Sequence, residues 1–110
     1  MKPKRIRLSR AKGWRMPADT VNVARPGPWG NPFIIGEDVK TAAEAVESFR
    51  YLCGGLVDLG VNRSCVFRQR RFLNHANRHL DKLRGKDLAC WCRDKPCHAD
   101  VLLELLEKTK

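Results

Sequence analysis

Three prolines and two glycines lie within the nine residues 25–33, and this stretch constrains the fold more than any other part of the chain. Proline fixes φ and removes a backbone N–H, so neither a helix nor an inner strand runs through such a segment. The sequence therefore predicts a shaped loop here, with two strands before it and the first helix after it.

The patterns on either side of this loop predict an α/β fold. Alternating and β-branched residues indicate strands at residues 5–9 and 20–24, and the apolar run at residues 87–92 predicts a short buried strand. A capping box at Thr41 and Glu44 begins a helix that ends at Gly54-Gly55, a second helix runs from about Ser64 to Leu83, and Pro96 begins a third. We expect a small sandwich with a partly parallel, Rossmann-like sheet and about three helices.

Length and cysteine usage set further expectations. A chain of 110 residues without internal repeats is predicted to be a single domain, residues 1–110. It has no apolar run near the roughly 20 residues of a membrane span and no apolar signal segment, so we expect a cytoplasmic protein without a membrane partner. Five cysteines in a reducing compartment indicate buried, metal-binding or reactive thiols rather than a disulfide framework. Cys53 and Cys65 follow helical apolar patterns and are predicted core residues.

The net charge of +10 is concentrated in two segments. Residues 1–25 and residues 63–86 each carry eight Lys or Arg against a single Asp. Side by side, these segments would form a surface suited to a phosphate-bearing partner, nucleotide or nucleic acid, although a solvated basic surface is an equal alternative. In the second predicted helix, an apolar arc is formed by Val66, Leu73, Ala76, Leu80 and Leu83. The opposite arc holds His75 and the nucleic-acid-binding candidates Arg68, Arg71, Arg78 and Lys82.

Three thiols and an imidazole lie close together near the C-terminus. Cys90, Cys92, Cys97 and His98 are the residue types that bind zinc, although their spacing is not that of common zinc knuckles. No cofactor is identified by the sequence, and zinc is the candidate that the cluster suggests. Strand alternation places Cys90 and Cys92 on one face and Trp91 on the other.

Two other interpretations of this cluster stay open. Cys97 at the first turn of a helix, or Cys92, could be a catalytic nucleophile with His98 as acid or base. The segment could instead be an unreactive junction between strand and helix. Asp100 would then offset the helix dipole, whereas in a functional site it would orient the imidazole.

The loop at residues 29–31 contains groups suited to recognising a base. Trp29 offers a stacking surface, Gly30 allows close approach, and Asn31 carries two donors and an acceptor. The alternative is a turn whose aromatic residues fill the core. Neither a P-loop nor a Gly-rich dinucleotide fingerprint is present, which excludes the commonest nucleotide enzymes.

Several segments carry a resemblance that spans nearly the whole chain. They are Trp14-Arg15-Met16-Pro17, Arg25-Pro26, Trp29-Gly30-Asn31-Pro32-Phe33, Gly85-Lys86-Asp87-Leu88, Cys90-Trp91-Cys92 and Cys97-His98-Ala99-Asp100-Val101-Leu102. Together they resemble domain of unknown function 4326, a family of phages and prophage-bearing bacteria. The resemblance implies a compact phage or prophage accessory protein in a bacterial host cell. The shared functional candidates it implies are Arg25, Trp29, Asn31, Cys92, Cys97, His98 and Asp100. This chain departs from the family pattern at Pro28, which stiffens the loop.

The loop and the cysteine block each follow a predicted strand, and ligands in open α/β sheets bind beyond the carboxyl ends of strands. We therefore predict one pocket, formed by the loop at 29–31 and the block at 90–100 with Arg25 as a cation, that binds an anionic nucleotide or nucleotide-derived ligand. One alternative is a thiol- or zinc-dependent enzyme acting on a nucleobase, nucleoside or glycosidic bond. Another is a DNA-binding protein that uses the basic helix within residues 63–86.

Overall fold

A computed structural model describes residues 3–25, 27–91 and 97–108 of the chain. These ranges contain three strands and three α-helices. In chain order they are β1 (Arg5–Arg7), β2 (Thr20–Asn22), α1 (Ala42–Cys53), α2 (Arg63–His79), β3 (Asp87–Cys90) and α3 (His98–Lys108). A short 3₁₀ turn at Leu80–Leu83 extends α2. The predicted α/β class with three helices is confirmed.

The sheet has the order β1-β3-β2, and both of its pairings are parallel. Ala89 in the central strand pairs with Ile6 on one side and with Asn22 on the other. Two further backbone bonds extend the ladder, from the Leu8 N–H to the Cys90 carbonyl and from the Val23 N–H to the Ala89 carbonyl. Because all three strands run the same way, the loops that follow β1, β2 and β3 leave the sheet at one edge.

The two faces of the sheet are covered differently. Leu88 and Cys90 belong to the main core with residues of all three helices, whereas Ala89 contacts a small apolar group that includes Leu8 and Ala24 on the other face. Trp91 is 44% exposed, and the Arg10 guanidinium lies 4.9 Å from its ring centre. The opposite orientations predicted for Cys90 and Trp91 are confirmed; Cys92 lies outside the described residues.

The first helix follows its sequence signals closely. The Thr41 hydroxyl accepts a hydrogen bond from the Glu44 N–H at 3.1 Å, so the predicted cap forms. Gly54 closes the last turn, and Gly55 has a φ of 96°, a conformation that glycine adopts without strain. Ala45, Val46, Phe49 and Leu52 are its buried residues.

The core face of α2 differs from the prediction. The helix begins after Asn62, whose side chain accepts from the Cys65 N–H, and its buried residues are Cys65, Gln69, Phe72 and Ala76. Of the predicted apolar arc, Val66, Leu73 and Leu80 are only half-buried. The face is rotated because Phe72 packs against Phe49, and because Gln69 is fully bonded to both backbone polar groups of Asp58. Gln69 can be buried because both polar atoms of its amide form hydrogen bonds. A pattern of apolar residues in the sequence does not identify such a position.

Other boundaries differ by a few residues. The regular part of β1 is shorter than residues 5–9, and β3 ends at Cys90 rather than at residue 92. The described part of α3 begins at His98, and Pro96, the predicted start, lies outside the described residues. Cys65 is buried as predicted, and Cys53 is half-buried against the core.

Candidate functional site

A cleft of about 450 Å³ lies between the proline-rich loop and α2. The loop leaves the carboxyl end of β2, so the cleft is at the edge of the sheet where α/β proteins bind ligands. Its lining residues from the loop are Arg25, Gly27, Pro28, Gly30, Asn31 and Pro32. Its lining residues from α2 are Arg68, Arg71, Phe72, Asn74 and His75.

Asn31 and Trp29 shape the loop from inside. The Asn31 amide donates to the Ala45 carbonyl at 3.0 Å and its Oδ1 accepts from the Phe33 N–H at 2.9 Å, so both ends of this buried side chain are engaged. Trp29 is buried and packs edge-on against His75, with ring centres 4.7 Å apart. These contacts support the alternative in which the loop's side chains fill the core. Gly30 and Asn31 nevertheless form part of the cleft surface.

Gly30 is required by the path of Arg25. A Cβ added at residue 30 would lie 2.6 Å from the Arg25 Cγ and 3.0 Å from its Cα. Real Cβ atoms do not approach other atoms this closely, so only glycine lets the two ends of the loop meet. The close approach noted in the sequence is therefore made by the chain's own Arg25, through its Cγ and its backbone.

The three arginines of the cleft are not equivalent. Arg68 donates from Nε to the Pro32 carbonyl at 2.9 Å and from a terminal nitrogen to Asp38 Oδ2 at 2.7 Å, so it holds the end of the loop. Burial opposes ionisation of Asp38, but bonds from the Ile34 N–H and Arg68 hold its pKa below the ordinary value. Arg25 and Arg71 are exposed and form no ion pair within the described part of the chain. They supply the cleft with uncompensated positive charge.

His75 separates the cleft from a second cavity of about 270 Å³. That cavity is lined by Val21, Trp29, His75, His79, Lys82 and Leu83. Burial lowers the pKa of His75, and the charges of His79 and Lys82 lower it further. The His75 and His79 rings lie 4.6 Å apart, and the buried Nδ1 of His79 has no hydrogen-bond partner among the described residues.

The described members of the cysteine and histidine block, Cys90, Cys97 and His98, are buried at and beyond the carboxyl end of β3. The Sγ atoms of Cys90 and Cys97 are 3.0 Å apart, and both residues are buried. His98 Nε2 lies 2.7 Å from the Val23 carbonyl oxygen, so the Nε2–H group donates a hydrogen bond to that carbonyl. Asp100 lies 3.9 Å from the Arg5 guanidinium. The described ranges hold no group of three or more His, Cys, Asp or Glu placed to bind a metal ion; Cys92 lies outside them.

The loop is linked to the described part of this block through the core. A chain of edge-to-face ring contacts runs from His98 to Phe49, Phe72 and Trp29. Of the described residues, none from the block at 90–100 lines the cleft, whose second wall is α2. Asn74 and His75 line this wall but were not among the candidates from the sequence. His75 shares the charged arc of the helix with Arg71, and this was the available signal.

The other two predicted cations, Arg78 in α2 and Lys82 in the 3₁₀ turn that follows it, do not line the cleft. Arg78 and Lys82 are exposed, and Lys82 lines the second cavity. No helix in the described ranges has both the length and the apolar character needed to cross a membrane.

The fold and the cleft define a small parallel α/β protein with a cationic cleft beyond the end of its second strand. The chain belongs to the family described as Domain of unknown function (DUF4326), which matches residues 6–108. It is similar to the "Uncharacterized 12.4 kDa protein in nrdA-td intergenic region" of Enterobacteria phage T4, with 28% identity over 88 residues. That alignment covers 80% of this chain and 68% of the phage protein. No solved structure matches the chain.

Proposed function

We propose that the cleft between the proline-rich loop and α2 binds a phosphate-bearing small molecule, with a nucleotide as the favoured ligand, in the cytoplasm of a bacterial host cell. The supporting observation is the pair of exposed guanidinium groups, Arg25 on the loop and Arg71 on α2, within one concave surface. Guanidinium groups bind phosphate oxygens through paired, charge-assisted hydrogen bonds. Neither guanidinium group is paired with a carboxylate in the described ranges, so a bound anion would balance their positive charge.

Size and lining favour a nucleotide over phosphate alone. The volume of about 450 Å³ lies in the range of small-molecule pockets, roughly 300–1,000 Å³. Pro28, Pro32 and Phe72 offer apolar surface beside the cations, and Asn74 and His75 offer hydrogen-bonding groups. This combination suits a base and sugar attached to the phosphate.

Isothermal titration calorimetry with 5′-deoxynucleoside monophosphates and the matching nucleosides tests the proposal. The monophosphate should bind and the nucleoside should bind at least about tenfold more weakly, because one charge-assisted bond is worth about 1.5–3 kcal/mol. Arg71→Gln should weaken monophosphate binding by a similar factor. Arg70→Gln is the matched control, since Arg70 is an exposed neighbour on the same helix that does not line the cleft.

Equal affinity for nucleotide and nucleoside would contradict the proposal. So would equal losses in the Arg70 and Arg71 variants, because net charge rather than the cleft would then explain binding.

DNA binding by α2 is a second candidate, supported by the exposure of Arg71, Arg78 and Lys82 along one side of the helix. In that case Arg78→Gln should weaken binding of a DNA duplex as much as Arg71→Gln does, and each should reduce the salt dependence of binding by about one charge. If the cleft is the site, Arg78→Gln should leave nucleotide affinity unchanged.

A further inference from the structure

Two cysteine side chains from different elements touch inside the core. Cys90 ends β3 and Cys97 immediately precedes α3, and their Sγ atoms are 3.0 Å apart. Both residues are almost fully buried, at 1% and 0% exposure. The strand end and the helix start therefore bring two sulfur atoms to within about 1 Å of the disulfide bond length of about 2.05 Å.

The distance between the two sulfur atoms can also be compared with the distance expected for two cysteines bound to one zinc ion. Two thiolates on one tetrahedral zinc ion lie about 3.8 Å apart, since each Zn–S bond is about 2.3 Å long. The Cys90 and Cys97 sulfurs are closer than that, and the Nε2 atom of the neighbouring His98 is directed to the Val23 carbonyl. Direct contact between the sulfurs fits a pair of thiols better than two ligands held apart by a metal.

A positive charge is held beside one of the sulfurs. The interaction with the Cys97 side chain raises the pKa of Arg5, and the Arg5 guanidinium also lies 3.9 Å from the Asp100 carboxylate. A cation at a sulfur favours the thiolate, which is the form that attacks oxidants. Burial raises the pKa of Cys53 to about 12 and that of Cys65 to about 11.

We propose that Cys90 and Cys97 form a redox-sensitive pair that closes to a disulfide when the protein meets a peroxide. The Cys97 sulfur attacks one peroxide oxygen, which forms an S–O bond, breaks the O–O bond and releases hydroxide; the hydroxide takes up the proton lost by the Cys97 thiol and becomes water. The Cys90 sulfur then attacks the Cys97 sulfur, which forms the S–S bond, breaks the S–O bond and releases a second water that carries the Cys90 proton. The two thiols lose two electrons and the peroxide gains them.

The disulfide would join the central strand of the sheet to the start of α3. It closes a ring of eight residues, and such a crosslink stabilises a fold mainly by restricting the unfolded chain. The oxidised protein should therefore melt several degrees above the reduced protein. This inference does not depend on the ligand of the cleft.

The test exposes the full-length reduced protein to hydrogen peroxide, alkylates the remaining thiols and maps peptides without reduction. The expected result is a Cys90–Cys97 crosslink that dithiothreitol reverses, with the other cysteines alkylated. Cys92→Ser and Cys53→Ser should form the same crosslink, and Cys97→Ser should not. Should Cys97→Ser fail to fold, the wild-type map decides.

Three results would overturn the proposal. They are a crosslink that joins Cys92 to either residue in the wild-type protein, oxidation to sulfinic acid without any crosslink, and one zinc ion per chain that peroxide releases. The last result would show that the two sulfur atoms coordinate a metal ion.

Discussion

Replacing Asn31 by alanine separates the structural role of the proline-rich loop from its binding role. The substitution removes the hydrogen bond to the Ala45 carbonyl and leaves the N–H of the buried Phe33 without its acceptor. An orphaned buried donor costs about 1–3 kcal/mol, and the lost bond to Ala45 adds about 1 kcal/mol. The free energy of unfolding should fall by about 2–4 kcal/mol. For a chain of this size, Tm should fall by roughly 8–16 °C.

Urea denaturation followed by circular dichroism measures this loss as a lower midpoint at an unchanged slope. Asn74→Ala is the matched control: Asn74 lines the same cleft, is exposed, and makes no side-chain hydrogen bond within the described ranges. Alanine is the better helix former, so this control should be neutral or slightly stabilising. A stability within about 0.5 kcal/mol of wild type for Asn31→Ala, together with a loss of nucleotide binding, would exclude the structural role and make Asn31 a ligand-binding residue.

Three further predictions concern the walls of the cleft. Arg68→Ala should destabilise the protein by about 2 kcal/mol in chemical denaturation, because it leaves the buried Asp38 carboxylate without its cation while Arg68 itself is partly exposed; a neutral effect would contradict its role as an anchor. The pKa of His75 is lowered in the folded state, so stability is complete above the ordinary value of 6.5 and decreases as the pH falls below it. Melting curves of His75→Gln should lack this loss, and an identical pH profile would exclude the effect. Gly30→Ala should displace Arg25, and should weaken nucleotide binding in calorimetry even if the fold persists; unchanged affinity would remove Arg25 from the site.

The local elements were largely predictable because their signals are local. The capping box at Thr41 and the paired glycines after Cys53 predict both ends of α1. Alternation along a strand likewise predicts that Cys90 is buried and Trp91 exposed. In each case the deciding contacts lie within a few residues along the chain.

The second wall of the cleft could not be predicted, because it depends on which face of α2 meets the sheet. Gln69 lies at the centre of the buried face, through bonds to Asp58 that no hydrophobic pattern encodes. The resulting rotation places Asn74 and His75 against the loop. Arg68 shows the same limit: its position in a charged arc suggests a phosphate contact, whereas its main partners are Asp38 and the Pro32 carbonyl.

Long-range contacts also decide between the two interpretations of the loop at residues 29–31. The sequence offers Asn31 and Trp29 equally as base-recognition groups or as parts of a folded turn. The acceptor that satisfies the Asn31 amide is 14 residues away on α1, and the rings that surround Trp29 are on α2. Such partners become visible only once the helices are packed.

Mapping nucleotide binding by NMR shows residue by residue whether the ligand occupies the cleft between the loop and α2. In ¹⁵N-labelled protein titrated with a 5′-deoxynucleoside monophosphate, we expect saturable shifts at Gly27, Gly30 and Asn31 on the loop and at Arg71 and His75 on α2. Amides near Arg78 should move little. Shifts confined to residues 97–100, or spread along the whole exposed side of α2, would contradict the assignment of the ligand to this cleft.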